Sequence, residues 1–99
     1  MTINLVNRGT EGELLLNGRL DTTTSPEAEE IFTQMTERFD KLILNMEKLE
    51  YISSAGLRVL KKTHMAMTKK NGDLLITHAN PMVMEVFEIT GFAGLLHIE

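Results

Sequence analysis

The chain is predicted to be a single α/β domain with a mixed, mostly parallel sheet, opened by an antiparallel strand pair, and with helices packed mainly on one face. Three observations lead there. After the first two apolar runs, short strand-like segments alternate with segments of helical period. Those first two runs, "TINLVN" and "ELLLNGRL", are joined only by the turn-rich "RGTEG". The chain has 99 residues, so one domain spanning 1–99 is the natural count, with little material to cover a second sheet face. That length still buries a core without disulfides or metals.

The elements follow in order. "TINLVN" is a strand and "ELLLNGRL" a second. Asn17-Gly18 is a strong hairpin signal, but "RLD" is too short to be a partner strand, so Gly18 is placed at a bulge within the strand or at its end. "SPEAEEIFTQMTERF" is a helix, with Ser25 as N-cap, Pro26 in the first position and Glu27 near the positive end of the dipole. Ala28, Ile31, Phe32, Met35 and Phe39 form its apolar stripe. "KLILNM" is a buried strand. A second helix runs from about Ala55 to Lys70, with Ala55, Val59, Leu60, Thr63, Ala66 and Met67 facing the core. Asn71-Gly72 closes it before the strand "GDLLIT". Asn80, Pro81 and Gly91 cap, start and end a third helix, and "LLHI" is a last strand.

Composition narrows the function classes. With 42% hydrophobic and 24% charged residues, the chain is ordinary for a globular domain. It has no Cys, which removes thiol chemistry and fits a reducing cytosol. No signal peptide is evident, and no apolar run approaches the roughly 20 residues that span a bilayer. The net charge of -4 argues against nucleic acid as a partner. The charge is unevenly spread. Arg58, Lys61, Lys62, Lys69 and Lys70 lie in an acid-free stretch, whereas Glu27, Glu29, Glu30 and Glu37 precede it.

Catalytic patterns are weak. His64, His78 and His97 lack metal-ligand spacing, and no Gly-rich phosphate loop is followed by Lys and Ser/Thr. "ISSAG" has Ile where a nucleophile elbow needs Gly. The chain is therefore predicted not to be an enzyme and to need no cofactor or metal.

The serines of "YISSAGLR" carry more. Ser53 or Ser54 caps the second helix, a role that by itself explains most serines so placed. A helix N-terminus also tolerates phosphate, because free N–H groups and the dipole favour negative charge. Further along, Leu57 and Met65 fall off the core stripe, on the side of Lys61 and Thr68. With Arg58 they are predicted to form an exposed docking face, the plainer alternative being a wide core stripe.

At these residues the chain resembles a known family. "LILNMEKLEYISSAGLRVL" is similar to the signature segment of STAS domains, named for sulfate transporters and anti-sigma factor antagonists. "LNGRLDTTTSPEAEE" resembles the family's earlier motif, and "VFEITGF" its third-helix segment. With no membrane-spanning run before the domain, a free-standing bacterial, cytoplasmic antagonist is expected. Many relatives continue into another helix where this chain stops at Glu99.

The resemblance implies partner switching. The unphosphorylated antagonist binds an anti-sigma factor that is also a serine kinase of the histidine-kinase-like ATPase fold, and a sigma factor is freed. The kinase phosphorylates the antagonist at the start of the second helix and the complex dissociates. A PP2C-type phosphatase resets it. By position the acceptor is Ser54. Ser53 replaces the acid usual before it and offers a second hydroxyl, and Ala55 replaces the hydroxyl residue usual after it. Asp21, Thr22, Thr23 and Thr24 match the family's second contact region. Gly56 keeps its place, where a missing side chain would admit a partner's backbone. The partner surface implied is Asp21–Thr24, Ser53, Gly56, Leu57, Arg58, Lys61 and Met65. A constitutive, unphosphorylated scaffold is the alternative.

Overall fold

The computed structural model describes residues 1–99. Its elements are β1 (Thr2–Arg8), β2 (Glu11–Leu20), α1 (Ser25–Arg38), β3 (Lys41–Ile52), α2 (Ser54–Lys69), β4 (Asp73–Thr77), α3 (Pro81–Thr90), α4 (Phe92–Leu95) and β5 (His97–Ile98). The sheet order is β1-β2-β3-β4-β5. β1 and β2 pair antiparallel, and every later pair is parallel. This is the mixed sheet that the sequence predicts.

One core explains the layering. Leu14, Leu16, Leu42, Leu44, Leu74 and Ile76 line one sheet face and join Phe32 of α1, Leu60 of α2 and Phe87 of α3 in a single buried cluster. Side chains alternate across a strand, so Ile43 and Leu75 point the other way and stand outside that cluster. The opposite face carries ion pairs instead, Arg8–Glu13 at 2.7 Å and Lys41–Glu11 at 3.6 Å. Helices thus cover one face, and the other mixes ion pairs with the apolar side chains of Ile43 and Leu75.

Most ends are set by the residues that predict them. The Asn80 carboxamide oxygen accepts from Val83 N–H at 2.8 Å, Pro81 opens α3, and Gly91 ends it at φ 83°. Asn71 takes the left-handed turn after α2 at φ 62°. Gly18 holds φ 115° between two register shifts of β2 against β3, as a bulge requires.

Several expectations are corrected. α1 begins at Ser25, which is therefore a buried first-turn residue and not the cap; Thr24 is the cap residue. The Ser25 hydroxyl donates to Asp21 O at 2.5 Å instead of accepting from the helix. β3 runs past Met46 to Ile52, since "EKLEYI" keeps pairing along β2. "LLHI" yields only a two-residue strand. Leu95 belongs to α4, a turn of helix nucleated directly after Gly91, and Leu96 turns into the core. On α2 the buried arc is turned towards Leu57, and Ala66 is exposed.

Candidate functional site

β2 and β3 are parallel, and their ends pair Leu20 with Ile52. The segments leaving the two carboxyl ends are therefore neighbours. Ser53 N–H donates to Leu20 O at 2.9 Å and ties them. This brings Asp21–Thr24 beside the start of α2, although some thirty residues separate them in sequence.

The Asp21–Thr24 loop is held from within. Asp21 Oδ1 accepts from Thr23 N at 3.0 Å, Thr23 Oγ1 at 2.8 Å and Thr24 N at 3.1 Å. Thr24 Oγ1 donates to Arg19 O at 2.7 Å and accepts from Asp21 N at 2.9 Å. The Thr23 hydroxyl, with the Thr24 and Thr23 N–H groups, holds the Asp21 carboxyl below its ordinary pKa; partial desolvation opposes this. Thr22 is exposed and shares a shallow depression with Ala55, Arg58 and Lys62. Two of the loop's hydroxyls thus shape it, and the third faces outward.

At the start of α2 the two serines separate. Ser53 is the N-cap, and its Oγ accepts from Gly56 N–H at 3.3 Å. Ser54 is the first helical residue and is exposed. A helix leaves its first four N–H groups without intrahelical acceptors. Ser53 N–H is taken by Leu20 O and Gly56 N–H by Ser53 Oγ, whereas Leu57 N–H bonds Ser53 O. The N–H groups of Ser54 and Ala55 remain free for an anion.

Two expected contact residues turn inward. Leu57 is only 6% exposed and belongs to the core. Gly56 is buried, and a Cβ there would lie 2.8 Å from both Leu20 Cγ and Leu20 O. Its missing side chain admits β2, not a partner. The close approach at Gly56 also explains Leu57: a helix start lowered onto Leu20 and Ile52 takes the next side chain in with it. Arg58, Lys61 and Met65 remain exposed, Met65 by 58%.

Other charged residues join the site only in three dimensions. Arg19 stacks over Tyr51, its guanidinium carbon 4.4 Å from the ring centroid, and reaches Asp21 Oδ2 at 3.8 Å. Lys62 pairs with Glu29 across the α1–α2 groove at 2.8 Å. The basic run of α2 facing the acidic run of α1 was the available signal for the second pair. None of the three histidines lies in this cluster: His97 faces Asp73 at 3.7 Å on the far sheet edge. No helix is long and apolar enough to cross a membrane.

Fold and site together define a class: a one-core α/β module that presents a serine-headed helix and a hydrogen-bonded loop at the carboxyl ends of two parallel strands. A family model described as the STAS domain matches residues 3–99, and the chain belongs to that family. Its sequence is 32% identical over 87 residues to the anti-sigma-B factor antagonist of Staphylococcus aureus, covering 87% of this chain and 81% of that one. An anti-sigma factor antagonist from Mycobacterium paratuberculosis has a similar structure, with TM-score 0.87 at 18% identity, over 98% of this chain and 83% of that one. SpoIIAA, a cell fate determinant of Bacillus, matches in its unphosphorylated and phosphorylated forms with TM-scores of 0.78 and 0.77, at 15% and 16% identity. Each covers 99% of this chain, and 87% and 91% of the respective SpoIIAA chains are matched. At those identities the structures speak for the fold.

Proposed function

We propose that this chain is an anti-sigma factor antagonist in a partner-switching pathway. The domain of residues 1–99 works in the cytoplasm as a substrate and switch, without catalysis of its own. Unphosphorylated, it binds an anti-sigma factor that is also a serine kinase of the histidine-kinase-like ATPase fold, and thereby frees a sigma factor. Phosphorylation of Ser54 breaks the complex, and a PP2C-type phosphatase restores it. The name of the Staphylococcus aureus relative supports the role.

The observation that carries the switch is the division between adjacent serines. Ser53 is engaged as a cap, and Ser54 is free at the head of the helix. A kinase can reach Ser54 without uncapping α2. The phosphate adds close to two negative charges beside the free N–H groups of Ser54 and Ala55, so the domain tolerates it.

The partner surface is revised to the Asp21–Thr24 loop, Ser54, Arg58, Lys61 and Met65. Arg58 and Lys61 steer an acidic partner surface into register, and Met65 supplies apolar contact. Gly56 and Leu57 act from beneath, by seating the helix. Phosphate at Ser54 must be desolvated on docking and opposes partner acids. A penalty of about 3 kcal/mol lowers affinity roughly a hundredfold.

The test is to incubate the chain with the cognate kinase and ATP and to map the product by mass spectrometry. One phosphate on Ser54, absent from Ser54→Ala, is expected. Modification persisting in Ser54→Ala sinks the assignment. Absence of phosphoserine in cells, with stable co-purification in one complex, indicates a constitutive scaffold instead.

A further inference from the structure

The stripe headed by Ser54 runs along α2 as far as Lys69. Ser54, Arg58, Lys61, Met65 and Lys69 recur every three or four positions, and all are exposed. They line one side of α2. At its distal end the stripe borders a shallow groove between α2 and α4, lined by Lys61, His64, Met65, Thr68, Lys69 and Leu95. Its exposed wall is almost wholly carbon. Met65 and Leu95, 58% and 42% exposed, face water there.

The charges around this groove are of one sign. No carboxylate lines it. The ion pairs of the chain engage Arg8, Arg19, Lys41, Lys62 and His97, and leave Lys61 and Lys69 unpaired. An occupant must therefore bring apolar atoms to Met65 and Leu95 and negative charge to the two ammonium groups. The net charge of -4 disfavours an anionic membrane.

We propose that this groove receives an acidic amphipathic helix of the partner protein, with apolar side chains at one face and Glu or Asp along its flanks. The proposal rests on the antagonist function above and adds a second anchor to it. Ser54 and Met65 are eleven residues apart, roughly 16 Å along α2 at 1.5 Å per residue. One interface of ordinary size covers both. The phosphate would then act at one end of a contact held at the other.

The test uses the full chain, isotope-labelled, in an NMR titration. The probe is a synthetic amphipathic helix of about four turns with Leu on one face and Glu on its flanks, beside a counterpart with Lys for each Glu. The acidic peptide should shift resonances of Lys61–Lys69 and Leu95, and bind at least about tenfold more weakly to Met65→Asp and to Leu95→Asp. Both positions are exposed, and circular dichroism checks that the variants stay folded. Equal binding of the two peptides, binding of neither, or shifts elsewhere overturns the proposal. So does binding of the chain to phosphatidylglycerol vesicles in place of the acidic peptide.

The two readings fail separately. If the kinase binds the chain and modifies Ser54, but binds Met65→Asp and Leu95→Asp as tightly as the parent, the groove is no anchor, Met65 leaves the partner surface, and the switch at Ser54 stands. If the acidic peptide seats in the groove while no kinase modifies Ser54, the switch fails and the groove stands.

Discussion

Ser53 Oγ accepts the N–H of Gly56 at 3.3 Å, while Ser54 beside it stands exposed in the first turn of α2. Adjacent serines therefore have different physical roles, and this can be measured. Ser53→Ala should lower stability by about 1 kcal/mol through loss of the cap. Ser54→Ala should stay within about 0.5 kcal/mol of the parent, as surface changes do. Urea denaturation of both decides it. An equal cost for the two would show that the roles are not divided.

Gly56 separates helix propensity from packing. Alanine is favoured over glycine inside a helix by about 1 kcal/mol. Here the added Cβ would meet Leu20 O, a backbone atom, at 2.8 Å. Gly56→Ala should therefore destabilise, by about 1–3 kcal/mol, because overpacking outweighs propensity. A thermal melt should show a lower midpoint, and a higher one would contradict the close approach.

Leu57 and Met65 make a contrasting pair on one helix. Leu57→Ala removes a core side chain and should cost about 2–5 kcal/mol in chemical denaturation. Met65→Ala should leave stability within about 0.5 kcal/mol. In calorimetry with the kinase, Met65→Ala should weaken binding about tenfold, and Leu57→Ala, where still folded, should change it little. The opposite pattern would return Leu57 to the surface.

Asp21 links the loop to pH. Its folded pKa is depressed, chiefly by the Thr23 hydroxyl, so the ionised form favours the folded state. A depressed carboxyl contributes stability that is complete above the unfolded pKa and is lost as pH falls through the folded one. The stability gap between the parent and Asp21→Asn should be constant from about pH 7 to pH 5 and should close below about pH 4. Urea midpoints across this range measure it. A gap that persists unchanged in strong acid would exclude the carboxylate as the source.

Much of the fold is legible because its signals are local. Asn80, Pro81 and Gly91 bound α3 by interactions a few residues long, and Gly18 marks its bulge by needing a positive φ. The serine pair at the head of α2 is legible for the same reason: a cap needs only the residues of one turn. The last strand is shorter than its residues predict. "LLHI" has strand-forming residues, but Gly91 leads straight into α4 and leaves only His97 and Ile98 to reach β4.

Contacts between distant segments were not legible. Lys70 Nζ donates to Thr36 O at 2.7 Å and Phe39 O at 2.9 Å, so a lysine beyond the end of α2 caps the end of α1. Nothing local in either segment announces this. Leu95, in the groove beside Met65, is hidden likewise, because its local sequence reads as strand.

The sequence by itself determined the succession of the five strands and three longer helices, the two ends of α3, the mixed sheet and the serine pair at the head of α2. Each depends on periodicity or on bonds within a turn. Tertiary structure alone decided which side of α2 is free. Periodicity defines an apolar arc but not its rotation against neighbours. The approach of Gly56 to Leu20 set that rotation, burying Leu57 and leaving Ser54, Arg58, Lys61 and Met65 facing solvent.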